Sequence, residues 1–192
     1  MSIRVRSVVA LATAALIWPA NAKAEDKSVL RLRAFAVNMS GVGRTSSTTL
    51  DIVFERWSSD EERQQLLDTL VEKNDEALLK ALAKIKPRVG FIRTNRSLGW
   101  DIQYARMQET PSGGKRIVFA TDRPMSFREV RDNLRSTDYE FMVCEIRLGS
   151  KGEGEGKLST ATKVRFDKEK RTIELENYGI EPVRLTKVVV EK

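Results

Sequence analysis

The chain has 192 residues, with 34 Lys and Arg against 27 Asp and Glu, a formal net charge of +7, one cysteine and no histidine. The missing histidine excludes Ser-His-Asp and Cys-His nucleophile pairs and His-ligated zinc, copper and non-haem iron centres. A lone Cys144 excludes an internal disulfide, so the fold must be held by packing alone. The enzymatic routes left open need a carboxylate pair, a lysine of depressed pKa, a tyrosine or an oxygen-ligated metal, and no spacing here marks any of them. Nothing in the sequence implies a cofactor.

In chain order, Arg4 and Arg6 precede the apolar run of residues 8–18, then Pro19 and the small-residue segment Ala22-Lys23-Ala24. Charge, length and the Ala-x-Ala order predict a secretory signal peptide over 1–24, cleaved after Ala24. The run is far shorter than the roughly 20 apolar residues a membrane-crossing helix needs. Residues 25–192 are then expected to form a single globular β-rich domain, exported to the periplasm or the extracellular space, with no transmembrane segment. Its 168 residues are enough to bury a real core.

Residues 29–37 (VLRLRAFAV) and 48–57 (TTLDIVFERW) alternate at period two and predict a strand pair joined by a polar link. Ser59 before Asp60, Glu61 and Glu62 predicts an N-cap with a capping-box partner three residues on. The stripe Leu66, Leu67, Leu70, Val71, Leu78, Leu82 and Ile85 carries the helix to Pro87. Asn74-Asp75-Glu76 allows either one long helix or a second start.

Period two returns in RVGFIRT, WDIQYARMQ and KRIVFAT, with a turn at TPSGG. Ser126 and Glu129 repeat the capping-box pattern and predict a short helix. The strands YEFMVCEIRL, GKLSTATKVRF, RTIELEN and PVRLTKVVV follow. The fold class expected is α+β: mainly antiparallel β, about nine strands in a sandwich or part-barrel, with one helical hairpin covering a side or mouth and one short helix. Alternation puts Met142, Cys144, Ile146 and Leu148 on one strand face, so Cys144 is expected to be a small buried hydrophobe.

Two glycine-rich stretches invite comparison with phosphate loops. A phosphate loop follows a strand and opens a helix, whose N-terminus faces the anion. The stretch GEGEG at 152–156 opens a strand instead and carries Glu153 and Glu155 where a phosphate would sit, so it is expected to be a hairpin connection. GVGRTSS at 41–47 also links strands, although Arg44 makes it a candidate anion contact.

DRPMSFREVRDNLRSTDYEFMVCEIRL, GEGEGKLSTATKVRF and ENYGIEPVRLTKV together resemble a family of small exported bacterial proteins of unknown function, over most of residues 120–188. The resemblance implies a bacterial exported origin and brings no activity or catalytic residue with it.

Charge is uneven along the chain, with a net of −3 over 25–83, +7 over 84–135 and zero over 136–192. Arg128, Arg131 and Arg135 fall at helical spacing on one face of the expected short helix and are, with Arg44, the candidate ligand- or anion-binding residues. Expected partners are an anionic lipid or glycan or an envelope protein; nucleic acid does not fit an exported chain. Three functions follow: a non-catalytic binding or scaffold module of the cell envelope for a small apolar or anionic ligand or a protein partner, a histidine-free hydrolase using paired carboxylates, or a peripheral protein held to anionic envelope surfaces by the basic 84–135 segment.

Overall fold

The computed structural model of the chain describes residues 28–38, 46–95, 97–124, 141–170, 172–177 and 181–191. The signal peptide expected over 1–24 and the short helix expected to open at Ser126 lie outside these residues. Ten strands and two helices are described: β1 (Leu30–Asn38), β2 (Ser46–Phe54), α1 (Asp60–Glu72), α2 (Asp75–Ala83), β3 (Gly90–Thr94), β4 (Trp100–Ile102), β5 (Tyr104–Glu109), β6 (Lys115–Thr121), β7 (Phe141–Leu148), β8 (Glu153–Asp167), β9 (Thr172–Asn177) and β10 (Val183–Val190).

The strands form one antiparallel sheet in the order β4-β3-β2-β1-β10-β8-β7-β6-β5, with β9 added on β8. Its two ends, β4 and β5, are halves of one extended segment separated only by Gln103, so the sheet curls almost into a barrel. The first half pairs with β3 and the second with β6. At the crossing, the Gln103 amide donates to the Ala120 carbonyl at 3.2 Å, and the Asp122 amide donates to Gln103 Oε1 at 3.2 Å. Gln103 is buried and bonded on both counts, which lets a polar residue stand at the seam. The run WDIQYARMQ, which reads as one strand, is thus two, and the part-barrel form of the expected α+β class holds.

One side chain in two points inward, as strand alternation requires. Leu32, Leu50, Ile52, Ile92, Ile117, Phe119, Met142, Cys144, Ile146, Leu158 and Leu185 fill the barrel, with Phe54 edge-on to Phe119 at 5.5 Å and stacked on Trp57 at 5.0 Å. Cys144 is fully buried among them, as its place in the alternation predicts.

The helices form because their ends are capped. The Ser59 hydroxyl accepts from the Glu62 amide at 3.2 Å, while Glu62 Oε2 accepts from the Ser59 amide at 3.0 Å. Arg56 grips the same Glu62 with two nitrogens, at 2.8 and 2.9 Å. Asn74 caps a second helix by accepting from the Ala77 amide at 2.9 Å, which decides between one helix and two. The pair lays Leu66, Leu70, Leu78 and Leu82 against the outer face of the barrel, with Phe141 and Val164 beneath. Polar links help hold it there. Ser58 exchanges hydrogen bonds with the Ala105 backbone of β5, and the Lys163 ammonium of β8 meets the Asp75 carboxylate of α2 at 3.2 Å.

The GEGEG stretch departs from expectation. β8 begins at Glu153, so four of its five residues are strand, and the turn is made earlier, at residues 149–152. Gly154 and Gly156 stand between β7 and β10, opposite a bulge in β10 where Lys187 takes a left-handed conformation with φ of 49°. A Cβ on Gly154 would lie 1.9 Å from the Arg147 carbonyl oxygen. Glycine is there because two backbones approach closely at a sharply coiled strand, not because the chain needs slack.

Candidate functional site

Between the outer face of β5–β8, the helix pair and the β8–β9 hairpin runs a groove of about 930 Å³. Its floor follows from strand register, since residues opposite one another on neighbouring strands share a face and lie in contact range.

Three cross-strand rows make up that floor. Tyr104, Ala120, Val143 and Ser159 form the row under the helices. The next contains Arg106, Val118, Glu145, Lys157 and Arg184, and the third Gln108, Arg116, Arg147 and Glu155. The groove therefore passes from an apolar end roofed by Leu66, Leu67, Leu70, Leu78 and Leu82 to an end dense in charge. The far wall is β9, whose Ile173 and Leu175 stay partly exposed, at 48% and 44%, and line the groove.

That wall owes its position to a bulge. Val143 pairs with Ser159 but Phe141 with Thr162, so β8 carries one extra residue. Burial is continuous from Leu158 through Thr162 instead of alternating, and beyond the bulge Val164 pairs with Leu175 on the groove side. Bulges bend a strand and re-aim its side chains in this way. Thr162, fully buried, is satisfied by donating to the Glu176 carbonyl at 3.0 Å.

At the charged end, Glu145 accepts from Arg116 Nε and Nη2 at 3.1 and 3.0 Å and from Arg147 Nε at 2.8 Å. Hydrogen bonds from Arg116, then from Arg147, hold its carboxyl down to about 2 against the opposing effect of partial burial. Arg106 donates to Asp60 at the start of α1 at 2.6 Å, a further pin between roof and floor. Among the described residues neither Lys157 nor Arg184 makes an ion pair. The lining includes six cations, Arg63, Arg106, Arg116, Arg147, Lys157 and Arg184, against the carboxylates Glu145 and Glu155, a net of four positive charges. Tyr104, at the other end, has its phenol pKa raised by burial.

The residues singled out from the sequence, Arg44, Arg128, Arg131 and Arg135, lie outside the described residues. Of the basic 84–135 segment, Arg106 and Arg116 reach the groove, whereas Arg88 pairs with Glu55 and Asp101 and Arg93 with Asp51, away from the groove lining. Arg147, Lys157 and Arg184 belong to the stretch with no net charge and were missed. Only the strand alternation that puts them outward, combined with the register, could have joined them. Among the described residues no helix is long and apolar enough to cross a membrane, and no group of three or more Cys, Asp and Glu is placed to hold a metal ion. Comparison of the chain with protein-family models, with curated proteins and with solved structures finds no match.

Proposed function

We propose that this chain is an exported, non-catalytic binding module of the cell envelope whose groove receives a small ligand with an apolar body. The observation that carries the reading is the concavity itself. At about 930 Å³ it lies within the roughly 300–1,000 Å³ typical of small-molecule sites, and leucines roof it without filling it. The signal-peptide pattern of residues 1–24 supports the compartment.

The groove chemistry favours binding over hydrolysis. A general acid needs a carboxyl of raised pKa, and two arginines drive Glu145 the other way. Its neighbours fix it as a counter-ion instead.

Displacement of the neutral fluorophore N-phenyl-1-naphthylamine by n-alkanols tests the reading. Each added methylene from octanol to dodecanol should tighten binding about two- to four-fold, since a buried CH₂ contributes up to about 0.8 kcal/mol. Val143→Asp, or Leu67→Asp on the roof, should abolish binding with the melting transition retained. Fluorophore binding indifferent to chain length and to both substitutions would refute the groove as the site.

A further inference from the structure

From the charge that closes one end of the groove we infer that its ligand is a single-chain amphiphile with an anionic head, a carboxylate or a phosphate or sulfate monoester. The inference rests on the groove reading and adds the head group. The apolar row and the cationic rows are neighbours on one floor, about one residue pair apart along the strands, so a chain lying under the helices brings its end to Arg147, Lys157 and Arg184.

These three side chains are suited to an incoming anion because the internal carboxylates leave them incompletely matched. Glu145 takes both hydrogen bonds of the Arg116 fork but only Nε of Arg147, so the two Nη groups of Arg147 keep their donors. Lys157 lies across from Glu145 on one side and Arg184 on the other, and neither cation makes an ion pair among the described residues. Guanidinium forks bind carboxylate and phosphate oxygens in pairs, and an ammonium adds a point charge. Glu145 acts as a positioning residue, because its grip holds the arginines side by side where two unpaired guanidiniums would repel. A cationic head would face a net of four like charges, and a neutral head would leave the donors to water.

The experiment uses the same fluorophore, displaced from the full chain by monomeric laurate, dodecyl phosphate, dodecanol and dodecyltrimethylammonium, and by inorganic phosphate. Laurate and dodecyl phosphate should bind at least ten-fold more tightly than dodecanol in dilute buffer. The advantage should shrink as salt brings the Debye length from about 30 Å at 0.01 M to about 8 Å at 0.15 M. Inorganic phosphate without a chain should displace nothing, which separates a lipid head from free phosphate.

The double variant Arg147→Gln/Arg184→Gln should lose the anion advantage and keep dodecanol affinity. Lys151→Gln/Lys168→Gln, which removes the same charge from exposed turns, should keep both. Equal affinity for laurate and dodecanol, preference for the ammonium, or equal losses in the two double variants would overturn the anion seat while the groove stands. Failure of every alkyl chain, dodecanol included, would overturn the groove and the seat together.

Discussion

Gly154→Ala should destabilise the protein by about 2 kcal/mol, although it adds a single methyl group to a stretch that reads as a loop. The added Cβ would stand 1.9 Å from the Arg147 carbonyl oxygen, 2.8 Å from its carbonyl carbon and 2.9 Å from the Leu148 Cα, where ordinary contact begins at 3.4 Å. All three neighbours are backbone, so no side chain can swing aside. β7 must retreat by roughly 1.5 Å or the strands must part and lose ladder hydrogen bonds. Overpacking of this kind costs about 1–3 kcal/mol, and each lost bond about 1. Alanine also restricts the unfolded chain, which offsets about 0.4–1 kcal/mol. The net corresponds to a fall in melting temperature of about 4–8 °C for a domain of this size. Gly149→Ala is the control, because its Cβ would meet only the Glu153 carbonyl oxygen at 3.6 Å, and it should stay within about 0.5 kcal/mol. Urea unfolding followed by tryptophan fluorescence reads both. If the two variants unfold together, β8 does not press on β7 at Gly154, and the glycines are slack connection after all.

Cys144, fully buried with its thiol pKa pushed up mainly by burial and also by the charge of Glu145, should react with a thiol reagent orders of magnitude more slowly in the native protein than in denaturant; equal rates would place it at the surface. Glu145, held near 2 against an ordinary 4.5, has a depressed folded pKa, so its contribution is complete above pH 4.5 and fades as pH falls from there toward 2. Melting temperature plotted against pH should therefore fall more steeply for the wild type than for Glu145→Gln across that window, and parallel curves would show that the arginine contacts are immaterial in solution.

The features legible in the sequence were those set by neighbours along the chain. The capping box at Ser59 and Glu62 needs only residues three apart, and it is formed as the spacing implies. The inward set of β7 needs only alternation, and Cys144 follows from it. Misreadings arose where distant backbone sets local structure. Gly154 and Gly156 carry the same residue type as a loop, and the requirement for glycine comes from Arg147 and Glu145 across the ladder. The break at Gln103 and the bulge in β8 have the same origin. An extended segment that pairs with β3 over one half and β6 over the other cannot announce the change in its own composition.

The same distinction explains why a tally of charge along the chain pointed away from the groove. The +7 of residues 84–135 reads as one patch, yet of its described residues Arg106 and Arg116 line the groove while Arg88 and Arg93 lie away from it. There Arg88 and Arg93 meet Glu55, Asp101 and Asp51, carboxylates from outside the segment or from a neighbouring strand. Conversely, residues 136–192 sum to zero because 11 acids match 11 bases along the whole stretch, and several of those acids have local partners. Glu174 and Asp167 hold Lys170, and Glu176 holds Arg165. Arg147, which gives Glu145 only its Nε, and Lys157 and Arg184, which make no ion pair among the described residues, come from three adjacent strands and fall into rows with Arg106 and Arg116. In an antiparallel barrel the unit of surface chemistry is the cross-strand row, and its charge depends on register. A net charge counted over a stretch of sequence reports a site only where the stretch folds back on itself, as a helix does.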